Sequence, residues 1–467
     1  MLIRIIFSLS LWLLAEVGVA QRIDRAALNA ELPTAVTASR KSVVAVVRRR
    51  KSSESVTADA KRFVPHEYGT GVAIGPDGLI LTNYHLLGDV DNSTYGVWHE
   101  SNFYRATVIA ADPWTDLAIL KATNASIPPI TIRVVTLSDD KGGQDRLKAD
   151  QSAFALGTHS KIARSGNASA TPCNIEQLSQ SLNAPPERST TIYKYGGLLQ
   201  IGPSIRQVPS GGPLLDHQGR MIGLVTSAKA LEGYHANTHY AIPMTPEITR
   251  VIESLTTGRE VDFGFLGIDP DPELASTDVG GIGVHAQRVL QRTPAASGGI
   301  LSGDIVTHVN GAALQSINDF LFRISIAHAG DRVKLTVVRT DPILRRNRIL
   351  EREVELSKRF VANTRPVVST IGRFGWRGVE VDHYTSTPLR SALLEPAPEF
   401  CVRVKTVERD SPAWQAGLRA NHLITSAGGV TVSAPAEFEA AVTSAEGAIE
   451  LEVASRGTVV IEAASQN

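Results

Sequence analysis

The chain has 467 residues, 43% hydrophobic and 20% charged, with 47 Lys and Arg against 47 Asp and Glu. That apolar share supports several cores, about three domains at roughly 150 residues each, and excludes wholesale disorder and collagen-like repetition. A formal net charge of zero gives no global attraction to nucleic acid or anionic lipid, so neither is an expected partner.

Residues 1–20 hold Arg4, an apolar run from Ile5 to Leu14 broken by Ser8 and Ser10, and Gly18-Val19-Ala20 before Gln21. This is the pattern of a secretory signal peptide, with an apolar run about half of the roughly 20 residues a bilayer span needs. The mature protein is expected to be exported, periplasmic or secreted, with no membrane span. From Ser42 to about Thr256, β-rich runs such as Val43-Val44-Ala45-Val46-Val47 and Ile222-Gly223-Leu224-Val225 are separated by turn residues such as Gly75-Pro76-Asp77-Gly78. Many short strands predict a sandwich or barrel. Within this region Arg48-Arg49-Arg50-Lys51 reads as a solvated loop after the first strand, and Thr158 to Tyr195, rich in Ser, Asn, Pro and Ala, as a surface loop. Ile248, Val251, Ile252 and Leu255 then recur at helical spacing and predict an amphipathic helix closing the first domain.

Two later segments repeat one another. Thr293-Pro294-Ala295-Ala296-Ser297-Gly298-Gly299-Ile300 leads into Gly303-Asp304-Ile305-Val306-Thr307-His308-Val309-Asn310-Gly311. Ser411-Pro412-Ala413-Trp414-Gln415-Ala416-Gly417-Leu418 leads into Asn421-His422-Leu423-Ile424-Thr425-Ser426-Ala427-Gly428-Gly429. Each is followed by a candidate amphipathic helix and a final strand. The divisions are a signal peptide over 1–20, a first domain over 21–258, two copies of one module over 259–360 and 371–467, and a linker over 361–370.

Three passages of the first domain supply the side chains of a nucleophilic hydrolase: His85 in Leu81-Thr82-Asn83-Tyr84-His85, Asp116 in Asp112-Pro113-Trp114-Thr115-Asp116-Leu117-Ala118, and Ser210 in Ser210-Gly211-Gly212-Pro213-Leu214. A serine hydroxyl is a poor nucleophile at neutral pH. An imidazole within hydrogen-bond reach can take its proton, and a buried carboxylate can hold that imidazole in the useful tautomer. Each residue alone reads as a core histidine, a turn aspartate or a tight turn. Their order and local strings inside one β-rich domain argue for a triad.

Those strings, with Gly69-Thr70-Gly71, Ile119-Leu120-Lys121 and Tyr240-Ala241-Ile242-Pro243, resemble the trypsin-like proteases of the HtrA (Deg) family. The similarity extends over nearly the whole mature chain, because the repeated modules resemble PDZ domains. The resemblance implies a mainly β protein, with a trypsin-like double β-barrel protease domain followed by two α+β PDZ-like domains. It implies Ser210 as nucleophile, His85 as general base and then acid, and Asp116 as orienting residue, in an ATP-independent endopeptidase acting on unfolded or damaged polypeptides. The oxyanion donors would be the backbone N–H groups of Val208 and Ser210. Leu224, Val225 and Thr226 would line a pocket for small or medium aliphatic side chains. Phe265-Leu266-Gly267-Ile268 and Arg377-Gly378-Val379-Glu380 fall where PDZ carboxylate-binding loops belong, making Leu266, Gly267 and Ile268 candidate donors to peptide C-termini. A homotrimer is the implied assembly, and no cofactor is implied.

The chain departs from the pattern at the nucleophile, where Val208-Pro209-Ser210 replaces the family's Gly-Asn-Ser. Pro209 deletes no required donor, but β-branched Val208 reaches positive φ only at high cost and the following proline pushes it toward extended geometry. The alternative is therefore a proteolytically weak or inactive PDZ scaffold that binds chains. Gly157-Thr158-His159-Ser160 replaces the family's Gly-Asn-Pro-Phe-Gly, and Asn421-His422 stands where the first repeat has Gly303-Asp304. Cys173 and Cys401 form no disulfide framework and no zinc-ligand spacing, and both are expected to be free. His235 and His239 would suit a metal only on a helix, and a loop is expected there, so no metal site is predicted.

Overall fold

A computed structural model describes residues 32–51, 67–137, 145–158, 168–180, 191–202, 209–227, 239–277, 281–341, 343–344, 346–361, 366–370, 375–387, 398, 400–443 and 447–463. The expected signal peptide, Val208 and His235 lie outside them. Two closed barrels occur. In the first, β1 (Val43–Arg50), β2 (Glu67–Gly75), β3 (Leu79–Asn83), β4 (Ser93–His99), β5 (Asn102–Asp112) and β6 (Leu117–Ala122) run in the order β5-β4-β1-β2-β3-β6, and β5 pairs with β6 to close the ring. In the second, β7 (Ser152–Gly157), β8 (Ser169–Gln180), β9 (Leu198–Gly202), β10 (Pro213–Leu215), β11 (Met221–Ser227) and β12 (His239–Pro243) close in the order β10-β11-β12-β9-β8-β7. Closure leaves no exposed sheet edge, and inward side chains such as Ala153, Ala155, Cys173, Ile175, Leu199, Ile201, Leu214 and Ala241 fill the second barrel. Helix α1 (Pro246–Thr256) buries Ile248, Val251, Ile252 and Leu255, the face its spacing predicted.

Two readings of polar segments require correction. Arg48 belongs to β1 and is buried, ion-paired with Glu67 directly across the β1–β2 ladder. The supposed loop Thr158 to Tyr195 contains β8, whose Cys173 and Ile175 point into the barrel two positions apart. Strand periodicity places them there despite the polar residues between them. Cys173 and Cys401 are free, and burial raises the Cys173 thiol to about 12.

The repeated modules have matching sheets. The first orders β13 (Ile268–Thr277), β14 (Gly281–Val289), β15 (Ile305–Val309), β16 (Arg332–Thr340) and β17 (Asn347–Glu355) in sequence, with helix α2 (Ile317–Ile326) burying Phe320 and Ile324. The second repeats this with β18 (Val379–His383), β19 (Val402–Val407), β20 (Leu423–Ala427), β21 (Ile449–Val453) and β22 (Gly457–Ile461), and α3 (Pro435–Thr443) burying Phe438 and Val442. Arg348 lies in β17, which begins at Asn347.

The substitution of Asn421-His422 for Gly303-Asp304 is accommodated locally. Gly303 has φ +96° and Asn421 has φ +70°, a left-handed conformation that Asn tolerates better than most residues. In the first module the Asp304 carboxylate accepts from Leu301 N (2.8 Å); in the second, His422 Nδ1 accepts from Arg419 N (3.2 Å). The imidazole must therefore present a bare Nδ1, and burial, reinforced by Arg456 and Arg419, lowers its pKa. Asp304 also binds Arg339 through both oxygens (2.7 and 2.8 Å), which His422 cannot reproduce.

Between the modules sits a buried ammonium. Lys358 Nζ lies 3.1 Å from Asp382 Oδ2, 2.9 Å from Asp262 Oδ1 and 3.2 Å from Glu260 Oε1, and the neighbouring Lys405 Nζ is 2.9 Å from Glu380 Oε1.

Candidate active site

β3 ends at Asn83 and the chain turns into a short 3-10 segment, Tyr84–Leu87, which carries His85. Asp116 sits just before β6 with φ +56°, the left-handed region that Asp visits more readily than most residues. Its backbone is pinned, since its carbonyl accepts from Tyr84 N (3.0 Å) and Asn83 Nδ2 (3.2 Å). The upstream turn is held by Asp112, whose buried carboxylate accepts from both Thr115 N (2.8 Å) and Thr115 Oγ1 (2.6 Å). Burial raises the Asp112 carboxyl to about 6.

The Asp116 carboxylate and the His85 imidazole are in direct contact. His85 Nδ1 is 3.0 Å from Oδ1 and 2.9 Å from Oδ2, and His85 N donates to Oδ1 at 3.0 Å. The carboxylate is an acceptor, so Nδ1 carries the proton and Nε2 is left as the basic atom. Thr226 Oγ1 completes the set by donating to Asp116 Oδ2 at 2.9 Å. With the Asp116 side chain 4% exposed and that of His85 13% exposed, these are shielded, charge-assisted bonds.

Ser210 lies in the turn before β10 and is 9% exposed. Its carbonyl accepts from Thr70 N at 2.9 Å. The two glycines after it are required sterically. Gly211 has φ +89°, and an added Cβ would stand 1.9 Å from Thr70 O; at Gly212 it would stand 1.8 Å from Leu156 O. Gly211 N then donates to Val225 O (2.9 Å) and Val225 N to Gly212 O (2.7 Å), fastening the turn to β11. The structure thus brings His85 and Asp116 into hydrogen-bonding contact and holds Ser210 on the second barrel in a turn bonded to β2 of the first.

The residues expected on a pocket wall divide by strand alternation. Val225 packs in the core of the second barrel, whereas Thr226, on the opposite face, directs its hydroxyl to Asp116. Leu224 shares the face of Thr226 and is fully buried. Neither the Thr226 hydroxyl nor the Thr70 amide was assigned a role from sequence, although Thr70 lay within the quoted Gly69-Thr70-Gly71.

In the first repeat, Leu266 O accepts from Ala295 N (2.8 Å) and Gly267 O from Leu290 N (2.9 Å), while Ile268 opens β13. Gly267 has φ +92°, and a Cβ there would meet Thr293 Oγ1 at 2.1 Å. The second repeat matches: Arg377 O accepts from Ala413 N (3.2 Å), Gly378 O accepts from Glu408 N (2.7 Å), and Gly378 has φ +82°. Both loops engage these carbonyls internally. Among the described residues no cluster of His, Cys, Asp and Glu could hold a metal, and no helix is long and apolar enough to cross a membrane.

Residues 69–224 match a trypsin-like peptidase domain, and residues 264–349 and 403–454 each match a PDZ domain. The chain is 26% identical over 400 residues to a probable periplasmic serine endoprotease, DegP-like, of Chlamydia pneumoniae, covering 84% of this chain and 74% of that protein. It is 28% identical over 392 residues to the protein of the same name from Brucella suis biovar 1, covering 82% and 69%. Among solved structures it is similar to the HtrA-type protease AlgW with a decapeptide, at 22% identity and a TM-score of 0.47, over 69% of this chain and 97% of that one. The peptidase match followed by two PDZ matches, with similarity to DegP-like proteins across more than four-fifths of its length, means that the chain is a trypsin-like serine endopeptidase with two PDZ domains, related to the DegP-like serine endoproteases.

Proposed function

We propose that the mature chain is an exported serine endopeptidase that cuts unfolded or damaged polypeptides without nucleotide hydrolysis. The observation that carries this reading is the His85 imidazole held through Nδ1 by both Asp116 oxygens, in the domain that presents Ser210 on a glycine turn. In this mechanism Nε2 of His85 takes the proton of Ser210 Oγ as that oxygen attacks the substrate carbonyl. Asp116 steadies the imidazolium. His85 then delivers the proton to the leaving amine, and water resolves the acyl-enzyme by the same route. Ser210 N and Val208 N are the proposed oxyanion donors, and loss of one such donor costs about 10²–10³ in turnover. A preference for small or medium aliphatic side chains rests on the resemblance and on apolar Leu224, which shares the face of Thr226, whereas Val225 faces the barrel core.

The Leu266-Gly267-Ile268 loop is proposed to receive the C-terminal carboxylate of a peptide that adds to a sheet edge. Export rests on the pattern of residues 1–20 and agrees with the word periplasmic in the relatives' names. Trimeric assembly rests on the resemblance and is checked by light scattering. The proposed divisions are 21–258 for the protease domain and 259–360 and 371–467 for the PDZ domains.

Val208-Pro209 supports a second reading, a PDZ scaffold that binds chains and cuts them poorly. Casein digestion by wild type, Ser210→Ala and Val208→Gly separates the two. The protease reading predicts cleavage by wild type and none by Ser210→Ala. An inert wild type beside an active Val208→Gly establishes the scaffold.

A further inference from the structure

Resting on the serine-protease reading, we propose that Thr70 is a positioning residue that fixes where Ser210 stands relative to His85 and Asp116. The need for such a residue follows from the architecture. His85 follows β3 and Asp116 precedes β6, both in the first barrel, whereas Ser210 precedes β10 in the second. The base and its orienting carboxylate are therefore fixed by one barrel and the nucleophile by the other. Their separation depends on what ties the barrels together at this point, and a misplacement of about 1 Å is enough to cost roughly 100-fold in rate.

Thr70, on β2, is fully buried and makes that tie with three groups. Its amide donates to Ser210 O (2.9 Å), gripping the nucleophile's own backbone. Its carbonyl accepts from Thr82 Oγ1 (2.7 Å), which anchors it to β3, the strand that leads to His85. Its hydroxyl oxygen accepts from Thr158 N (3.0 Å) at the end of β7, and Thr158 Oγ1 donates to the neighbouring Gly69 O (3.2 Å). The second barrel thus holds this segment at the Ser210 turn and again at the end of β7. Gly211 and Gly212 permit the close approach, since a Cβ at Gly211 would stand 1.9 Å from Thr70 O and one at Gly212 would stand 1.8 Å from Leu156 O and 3.4 Å from Thr70 Cγ2. No side chain of Gly211 or Gly212 intervenes, so a shift of Thr70 passes directly to Ser210.

The side chain of Thr70 therefore matters through its oxygen. Valine fills the same volume but cannot accept from Thr158 N, and a buried amide without an acceptor forces β7 and β2 apart. Serine keeps the acceptor. The test uses the full chain with Thr70→Val and Thr70→Ser, reading peptide hydrolysis and amide hydrogen exchange at Gly211, whose N–H is bonded to Val225 O. Thr70→Val is expected to lower kcat by about 10- to 100-fold with KM held within about twofold, and to speed Gly211 exchange. Thr70→Ser is expected to stay within about threefold of wild type on both measures, since its oxygen still accepts from Thr158 N. Unchanged Gly211 exchange in Thr70→Val overturns the proposal, as does a Thr70→Ser variant that falls as far as Thr70→Val. If no variant hydrolyses peptide yet Gly211 exchange rises in Thr70→Val alone, the protease reading fails and the positioning role stands.

Discussion

Replacing Thr226 by Val tests whether the hydroxyl on Asp116 contributes to catalysis. In the native chain Asp116 Oδ2 accepts from Thr226 Oγ1 at 2.9 Å, while the carboxylate also faces His85 Nδ1 and receives His85 N. Valine conserves shape and removes only the donor. A hydrogen bond to a charged acceptor is worth about 1.5–3 kcal/mol, and Thr226 is 1% exposed, so solvent cannot readily substitute for the lost hydroxyl. Expressed fully in the transition state, where Asp116 steadies the imidazolium, that loss lowers kcat by about 10- to 150-fold at 1.36 kcal/mol per factor of ten. The residual activity reflects the His85 contacts, which remain. The assay is steady-state hydrolysis of a quenched peptide by wild type, Thr226→Val and Thr226→Ser. The account predicts a fall in kcat with KM little changed for Val, and recovery to within about fivefold for Ser, which keeps the donor. A Thr226→Val enzyme with wild-type kcat refutes the reasoning, because the hydroxyl would then be structural packing alone.

Three further predictions follow from the geometry. Gly211→Ala places a methyl 1.9 Å from Thr70 O at φ +89°, so it is expected to abolish hydrolysis and destabilise the protein by roughly 3 kcal/mol or more, read by denaturant unfolding. Burial raises Asp112 from 3.8 to about 6. The folded state holds that proton more tightly than the unfolded one, so this stabilisation is full below about pH 4 and is lost as pH rises through about 6. Asn keeps an oxygen for both Thr115 donors, and the unfolding free energy of Asp112→Asn relative to wild type should therefore grow by roughly 3 kcal/mol between pH 3 and 7; a pH-independent difference contradicts the assignment. Lys358→Met strips its cation from the buried Asp382, 3.1 Å away, and is expected to cost about 3–5 kcal/mol in unfolding experiments, whereas a cost below about 1 kcal/mol would indicate a solvated pair.

The barrel strands, the helix over Pro246–Thr256 and the repeated modules were legible because apolar periodicity, turn residues and two aligned strings each leave a local trace. The strand Ser169–Gln180 was not, because Cys173, Ile175 and the partly buried Leu178 that pack on the barrel core are interspersed with polar residues that mimic a loop. Arg48 was misread for a related reason: its charge is neutralised by Glu67, a partner supplied by strand register and invisible in the local sequence. At the site, His85, Asp116 and Ser210 stood out through their strings. The roles of Thr226 and Thr70 depend on which face of a strand meets which loop, and that is decided only when the two barrels close. Val225 illustrates the same limit, since alternation sends it into the core while its backbone fastens Gly211 and Gly212. The Asn421-His422 pair was the reverse case. Left-handed tolerance of Asn was foreseeable, but His422 Nδ1 takes over the acceptor role of Asp304 only because the folded turn brings it to Arg419 N.

The most direct measurement of the central claim is the rate at which a fluorophosphonate esterifies the full chain, with the adduct located by peptide mass spectrometry. The account predicts a single adduct on Ser210, formed rapidly by wild type and at least about 100-fold more slowly by His85→Ala, because the hydroxyl then lacks its base. An adduct absent from Ser210, or one that forms at the same rate without His85, contradicts it.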